Sequence, residues 1–112
     1  MEDDVDGDFH RDILIVDDSC INLMALQQLL NNCGVEAADE ATDGIQALKL
    51  VQSKCQLTKA GYKLILMDYS MPQQNGPECT ANILDYMRRS APELPRPYIC
   101  CVSAYDSAEF KG

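Results

Sequence analysis

Two apolar stretches in this chain end on acid. Ile13-Leu14-Ile15-Val16 runs directly into Asp17-Asp18-Ser19, and further along Leu64-Ile65-Leu66-Met67 runs into Asp68. Continuous apolar runs of this length, bounded by charge, suit strands buried on both faces of a parallel sheet. If the two strands are parallel neighbours, their C-terminal ends bring three carboxylates into one crevice. That edge is where open α/β sheets bind their ligands. Like charges at ~4 Å repel by about 4 kcal/mol at an effective dielectric near 20. A chain does not gather such repulsion for stability. A divalent cation, shifted pKa values or a use of the charge is expected instead.

The remaining punctuation supplies an α/β order. Residues 1–11 read as an acidic, flexible tail. Residues 12–16 form the first strand. Ser19 or Asp18 caps a helix carrying Ile21, Met24, Ala25, Leu29 and Leu30, which stops at Cys33-Gly34. A short second strand is expected over 35–38. Thr42 or Asp43 opens a second helix with Ile45, Leu48 and Val51 or Gln52 on one face. A polar connection follows over 53–61, then a third strand over 63–67 and a loop containing Pro72. Gly76 starts a third helix around Cys79, Ile83, Tyr86 and Met87. Pro92, Pro95 and Pro97 stiffen the next loop, residues 98–102 form a fourth strand, and 106–110 begin a fourth helix. Alternating strands and helices predict a doubly wound parallel sheet. In the flavodoxin-like order 2-1-3-4 the two acid-bearing strands are adjacent and flank the switch point.

Composition narrows the function. The chain has 112 residues, one domain's worth, and 46% are hydrophobic, enough for a packed core. The net charge of −9 disfavours nucleic acid and anionic membrane surfaces as partners. No apolar run is long enough to span a bilayer, and the acidic start is not a secretory signal. Asp4, Asp6 and Gly7 suggest a calcium loop, but that register puts Ile13 where a bidentate glutamate must sit. His10, the one histidine, reads as a solvated surface residue. The six cysteines lack C-x-x-C spacing. They read as reduced, structural thiols of a cytosolic domain rather than as disulfides or zinc ligands. Cys100 and Cys101, adjacent on a strand, point to opposite faces.

Residues 13–19, the Asp68-Tyr69-Ser70-Met71-Pro72 segment with Asn75-Gly76, and Cys101-Val102-Ser103-Ala104 together resemble a response-regulator receiver domain. Ala41-Thr42-Asp43-Gly44 with Ala47-Leu48 resembles the start of its second helix, and Asn22 is most like receivers attached to hybrid histidine kinases. The resemblance runs from Asp12 to the end of the chain and implies a cytoplasmic phosphorelay module. Asp68 would accept a phosphoryl group from phosphohistidine on a histidine kinase or histidine phosphotransfer domain. Asp18 and Asp68 would bind Mg²⁺ directly, Asp17 largely through water, and Ser70 through its backbone carbonyl. The Ser103 hydroxyl would swing toward the phosphoryl group, with Ala104 leaving room. Such a domain is a phosphoacceptor and not a stand-alone enzyme.

The resemblance also implies a fifth strand bearing a lysine, and a fifth helix. Only nine residues follow Ser103, and Lys111 lies too close to it to be that lysine. The expectation is therefore a segment of a longer protein, with an open edge at the fourth strand and an apolar patch beside the first helix. Two other functions compete. A degenerate receiver would bind partners without phosphorylation, as the absent lysine suggests. An aspartyl-phosphate phosphatase would want an acid two residues after its nucleophile, where this chain has Ser70.

Overall fold

The computed structural model describes residues 12–69, 71 and 74–102. The expected tail, His10, Ser70, Pro72, Ser103, Ala104, Lys111 and the start of a fourth helix lie outside the described residues. Among the described residues, four parallel strands form one sheet in the order β2-β1-β3-β4. They are β1 Ile13–Val16, β2 Asp39–Ala41, β3 Leu64–Asp68 and β4 Tyr98–Val102, joined by α1 Cys20–Asn32, α2 Gly44–Thr58 and α3 Gly76–Ser90. The expected doubly wound architecture and strand order are both present.

Side-chain alternation along β1 and β3 builds two cores. Leu14, Val16, Ile65 and Met67 point toward α2 and α3, where they meet Ala47, Val51, Cys55, Cys79, Ile83 and Met87. Ile13, Ile15 and Leu66 point the other way, toward Leu23, Leu26 and Leu30 of α1. Among the described residues the α1 side is much the smaller, with three buried residues against fourteen.

Four sequence expectations are corrected. The second strand lies at Asp39–Ala41 and not over 35–38. The Gln27 side chain accepts from the Ala38 N–H and donates to the Ala38 carbonyl, both at 3.1 Å. An amide thus takes the backbone groups that a ladder would need, and pairing begins one residue later, Leu14 opposite Asp39. This edge strand buries only Ala41 fully, so acids dominate its sequence and conceal it.

The connection expected over 53–61 is mostly helix, because α2 runs on to Thr58. Its buried face is Gly44, Ala47, Val51, Lys54 and Cys55, while Ile45 is exposed and Leu48 and Gln52 are half-buried. Lys54 tolerates burial because its Nζ lies 3.5 Å from Asp12 Oδ1 and 5.3 Å from the Tyr62 ring centre. The helix stops where Lys59 turns left-handed at φ 60°.

On α1 the stripe that packs is Leu23, which is buried, with Leu26 and Leu30 half-buried beside it. Ile21, Met24 and Leu29 are exposed, and Ala25 faces solvent with them. The helix carries more apolar residues than the sheet face beneath it can cover, and the stripe nearest Ile15 is the one that packs.

Finally, all six cysteines are free thiols, but only Cys55 and Cys79 are buried. A core role fits those two alone. Cys100 and Cys101 are both exposed, and β4 pairs only with β3 among the described residues.

Candidate functional site: an acidic crevice at the sheet edge

The parallel pairing of β1 with β3 sets Val16 opposite Met67, so the residues that follow both strands emerge together. Carboxylate oxygens of Asp17, Asp18 and Asp68 lie within 4.8 Å of one another. Asp17 and Asp68 are buried, and Asp18 is exposed at the mouth. The three acids singled out in the sequence therefore meet in one place.

Asp17 is held by groups from two other elements. Its N–H donates to the Ala41 carbonyl at 3.1 Å, which ties the strand end to β2. Its Oδ1 accepts from the Ser19 N–H at 2.9 Å. The Asn22 amide approaches both carboxylate oxygens, at 3.5 and 3.3 Å. Ser19 is the N-cap of α1, accepting from the Asn22 N–H at 3.2 Å. Asn22 is thus the third residue of the helix, from which a side chain leans back toward the strand end. Asp18 makes none of these bonds and leaves its oxygens toward solvent.

Asp68 ends β3, opposite Val102 of β4. The next residue closes a clamp: the Tyr69 N–H donates to the Val102 carbonyl at 2.9 Å, and the Tyr69 carbonyl accepts from the Gly76 N–H at 2.8 Å. Asn75 and Glu78 form a reciprocal capping box that starts α3 at that point. Gly76 is the first residue of α3. Its φ is not positive, and its role is close approach, since a Cβ there would lie 2.5 Å from the Asp68 carbonyl oxygen.

Sequence reasoning named the acids but missed what holds them. The grip of Asn22 on Asp17 was readable, because a Ser19 cap places Asn22 within reach. The Tyr69 clamp was not readable, since it uses backbone groups. Ser70 and Ser103, the other two expected site residues, lie outside the described residues.

Three hard oxygen donors converging on one point fit a small hard cation. Mg²⁺ takes carboxylates and keeps several waters, which an open site with one exposed acid permits. Burial of two like-charged acids side by side is otherwise costly.

Residues 13–111 match the family described as the response regulator receiver domain. This chain belongs to the response regulator receiver domain family. The receiver is 34% identical over 83 residues to hybrid signal transduction histidine kinase B of Dictyostelium discoideum, covering 74% of the chain and 4% of that protein. It is 32% identical over 74 residues to chemotaxis protein CheY of Treponema pallidum, covering 66% of the chain and 49% of that protein. The receiver thus spans less than half the length of either relative. Among solved structures, it resembles the Mg²⁺-complexed receiver domain of the histidine kinase CKI1 from Arabidopsis thaliana. That match has a TM-score of 0.71 and 27% identity, over 90% of this chain and 74% of that one. No helix among the described residues of the receiver is long and apolar enough to cross a membrane.

Proposed function

We propose that this receiver takes a phosphoryl group from phosphohistidine on a histidine kinase or histidine phosphotransfer domain, onto the carboxylate of Asp68. The observation that carries the reading is the meeting of Asp17, Asp18 and Asp68 within 4.8 Å at the C-terminal ends of adjacent strands. The Asp68 oxygen forms a bond to phosphorus as the phosphorus–nitrogen bond breaks. The electron pair stays on the imidazole, and the product is an acyl phosphate.

Asp18 and Asp68 would hold Mg²⁺ directly, together with the backbone carbonyl of Ser70, and Asp17 would act through water. The bonds from Ser19 and Asn22 occupy Asp17 and support that division of roles. When bound, Mg²⁺ neutralises charge on the carboxylates and on the phosphoryl oxygens. The Ser103 hydroxyl would then turn toward the phosphoryl group and move the surface after β4. The likeness to a Mg²⁺-complexed receiver and to a hybrid kinase supports a cytoplasmic phosphorelay role. A phosphatase lacks its acid at Ser70, so the domain is a phosphoacceptor rather than an independent enzyme.

Intact mass after incubation with Mg²⁺ and a small acyl-phosphate donor tests the reading. One added phosphoryl group is expected, absent in Asp68→Asn and absent without Mg²⁺. No adduct on a folded chain would overturn phosphoryl acceptance and leave the degenerate receiver, a module that signals by binding alone.

A further inference from the structure

The end of the sheet opposite the acidic crevice carries a cavity of about 430 Å³ where the α2–β3 and α3–β4 loops meet the entry to β1. Its lining includes Asp12, Lys59, Lys63, Pro95, Arg96 and Tyr98. Three of the nine basic residues of a chain with net charge −9 thus stand around one opening.

Among the described residues one acid, Asp12, stands in this lining and does not cancel them. Asp12 Oδ1 faces the buried Lys54 Nζ at 3.5 Å, and Oδ2 faces Lys63 Nζ at the same distance. Lys54 and Lys63 share Asp12, so among the described residues the rim formed by Lys59, Lys63 and Arg96 carries net positive charge. Lys59 is presented by its left-handed helix-stop conformation, and Arg96 stands on the facing loop, exposed. The floor is apolar and aromatic: Tyr62 is buried beneath it, and Tyr98 lies 81% exposed beside it. Backbone bonds fix the loops to one another, Lys63 N–H to the Asp12 carbonyl at 2.8 Å and Tyr98 N–H to the Lys63 carbonyl at 2.9 Å. The cavity is therefore built on the sheet and not on a lone loop.

We propose that this end of the sheet is a docking site for an acidic peptide segment that places an apolar side chain in the cavity and carboxylates on the rim. The volume suits one or two large side chains. The cations sit on two separated loops, which matches charges spaced along an extended segment better than a single phosphate. A nucleic acid would bring many phosphates toward a strongly negative chain, whereas a short acidic segment feels mainly the local rim. Docking here leaves the Asp17–Asp18–Asp68 edge open, so a partner can be held while the crevice is engaged.

The test is amide-shift mapping of the ¹⁵N-labelled chain with a capped octapeptide of alternating glutamate and leucine. Shifts are expected at 59–63 and 95–98, with affinity falling several-fold between about 50 and 300 mM salt. The Lys59→Glu/Arg96→Glu chain, both changes on exposed side chains, should bind at least about tenfold more weakly while its other amides stay in place. Peptides with glutamine or lysine in place of glutamate should not bind. Equal binding of the glutamine peptide, shifts mapping elsewhere, or no shift at millimolar peptide would each overturn the proposal. No phosphoryl transfer enters this experiment, so its outcome is independent of that at Asp68.

Discussion

Gly76 and Asp68 touch through backbone. A Cβ on Gly76 would sit 2.5 Å from the Asp68 carbonyl oxygen and 3.1 Å from the Tyr69 Cα. Neither neighbour is a flexible side-chain end, so the strand or the helix must move. Gly76→Ala is expected to cost about 1–3 kcal/mol by overpacking. Urea unfolding reads that cost. If phosphoryl uptake falls more than stability explains, the displacement reaches the carboxylate.

Asn22 should matter to the metal without touching it. It supports Asp17 from the third position of α1. Partners that orient acidic groups at metal sites typically carry about tenfold or more in affinity. Asn22→Ala should therefore weaken Mg²⁺ binding by about tenfold, read by calorimetric titration, with the fold retained. Unchanged affinity would remove Asn22 from the site.

Mg²⁺ should stabilise the chain. Binding to the folded form alone, at a hundred times Kd, adds about 2.7 kcal/mol. Asp18 is exposed and outside the hydrogen bonds that hold Asp17, so Asp18→Asn should fold normally and lose most of that gain. Thermal midpoints with and without Mg²⁺ measure it. A similar gain in the variant would place the ion elsewhere.

Cys79 should report on the core through pH. Burial pushes its thiol from 9.0 to about 11, and the charge on Asp43 adds to the effect. Between those values the unfolded thiol loses its proton and the folded one keeps it. Stability contributed by the neutral thiol is thus present below pH 9 and is lost as pH rises toward 11. That slope should flatten in Cys79→Ala. At pH 8, iodoacetamide should modify Cys20, Cys33, Cys100 and Cys101 on the folded chain, and Cys55 and Cys79 only after unfolding.

By itself, the sequence determined the elements whose pattern is local. β1 and β3 were readable because both faces of a central strand are buried, so the apolar run is unbroken and its acid ending stands out. The third helix was readable because Asn75, Gly76 and the spacing of Cys79, Ile83 and Met87 act within a few turns of chain. The acids of the crevice followed from the parallel pairing.

Tertiary structure decided the rest. A polar edge strand at Asp39–Ala41 exists because β1 offers it a partner, and its start is set by Gln27 from a different element. α2 continues past its apolar stretch as Lys54 finds Asp12, a residue distant in the chain, and the nearby ring of Tyr62. Which stripe of α1 packs depends on where the sheet lies beneath it. The same holds at the site: the acids are sequence, whereas the clamp through Tyr69 and the fit of Gly76 are not. Backbone hydrogen bonds do not depend on side-chain identity at the atoms that make them, and a glycine does not announce which backbone will approach it, so only the folded arrangement can specify them.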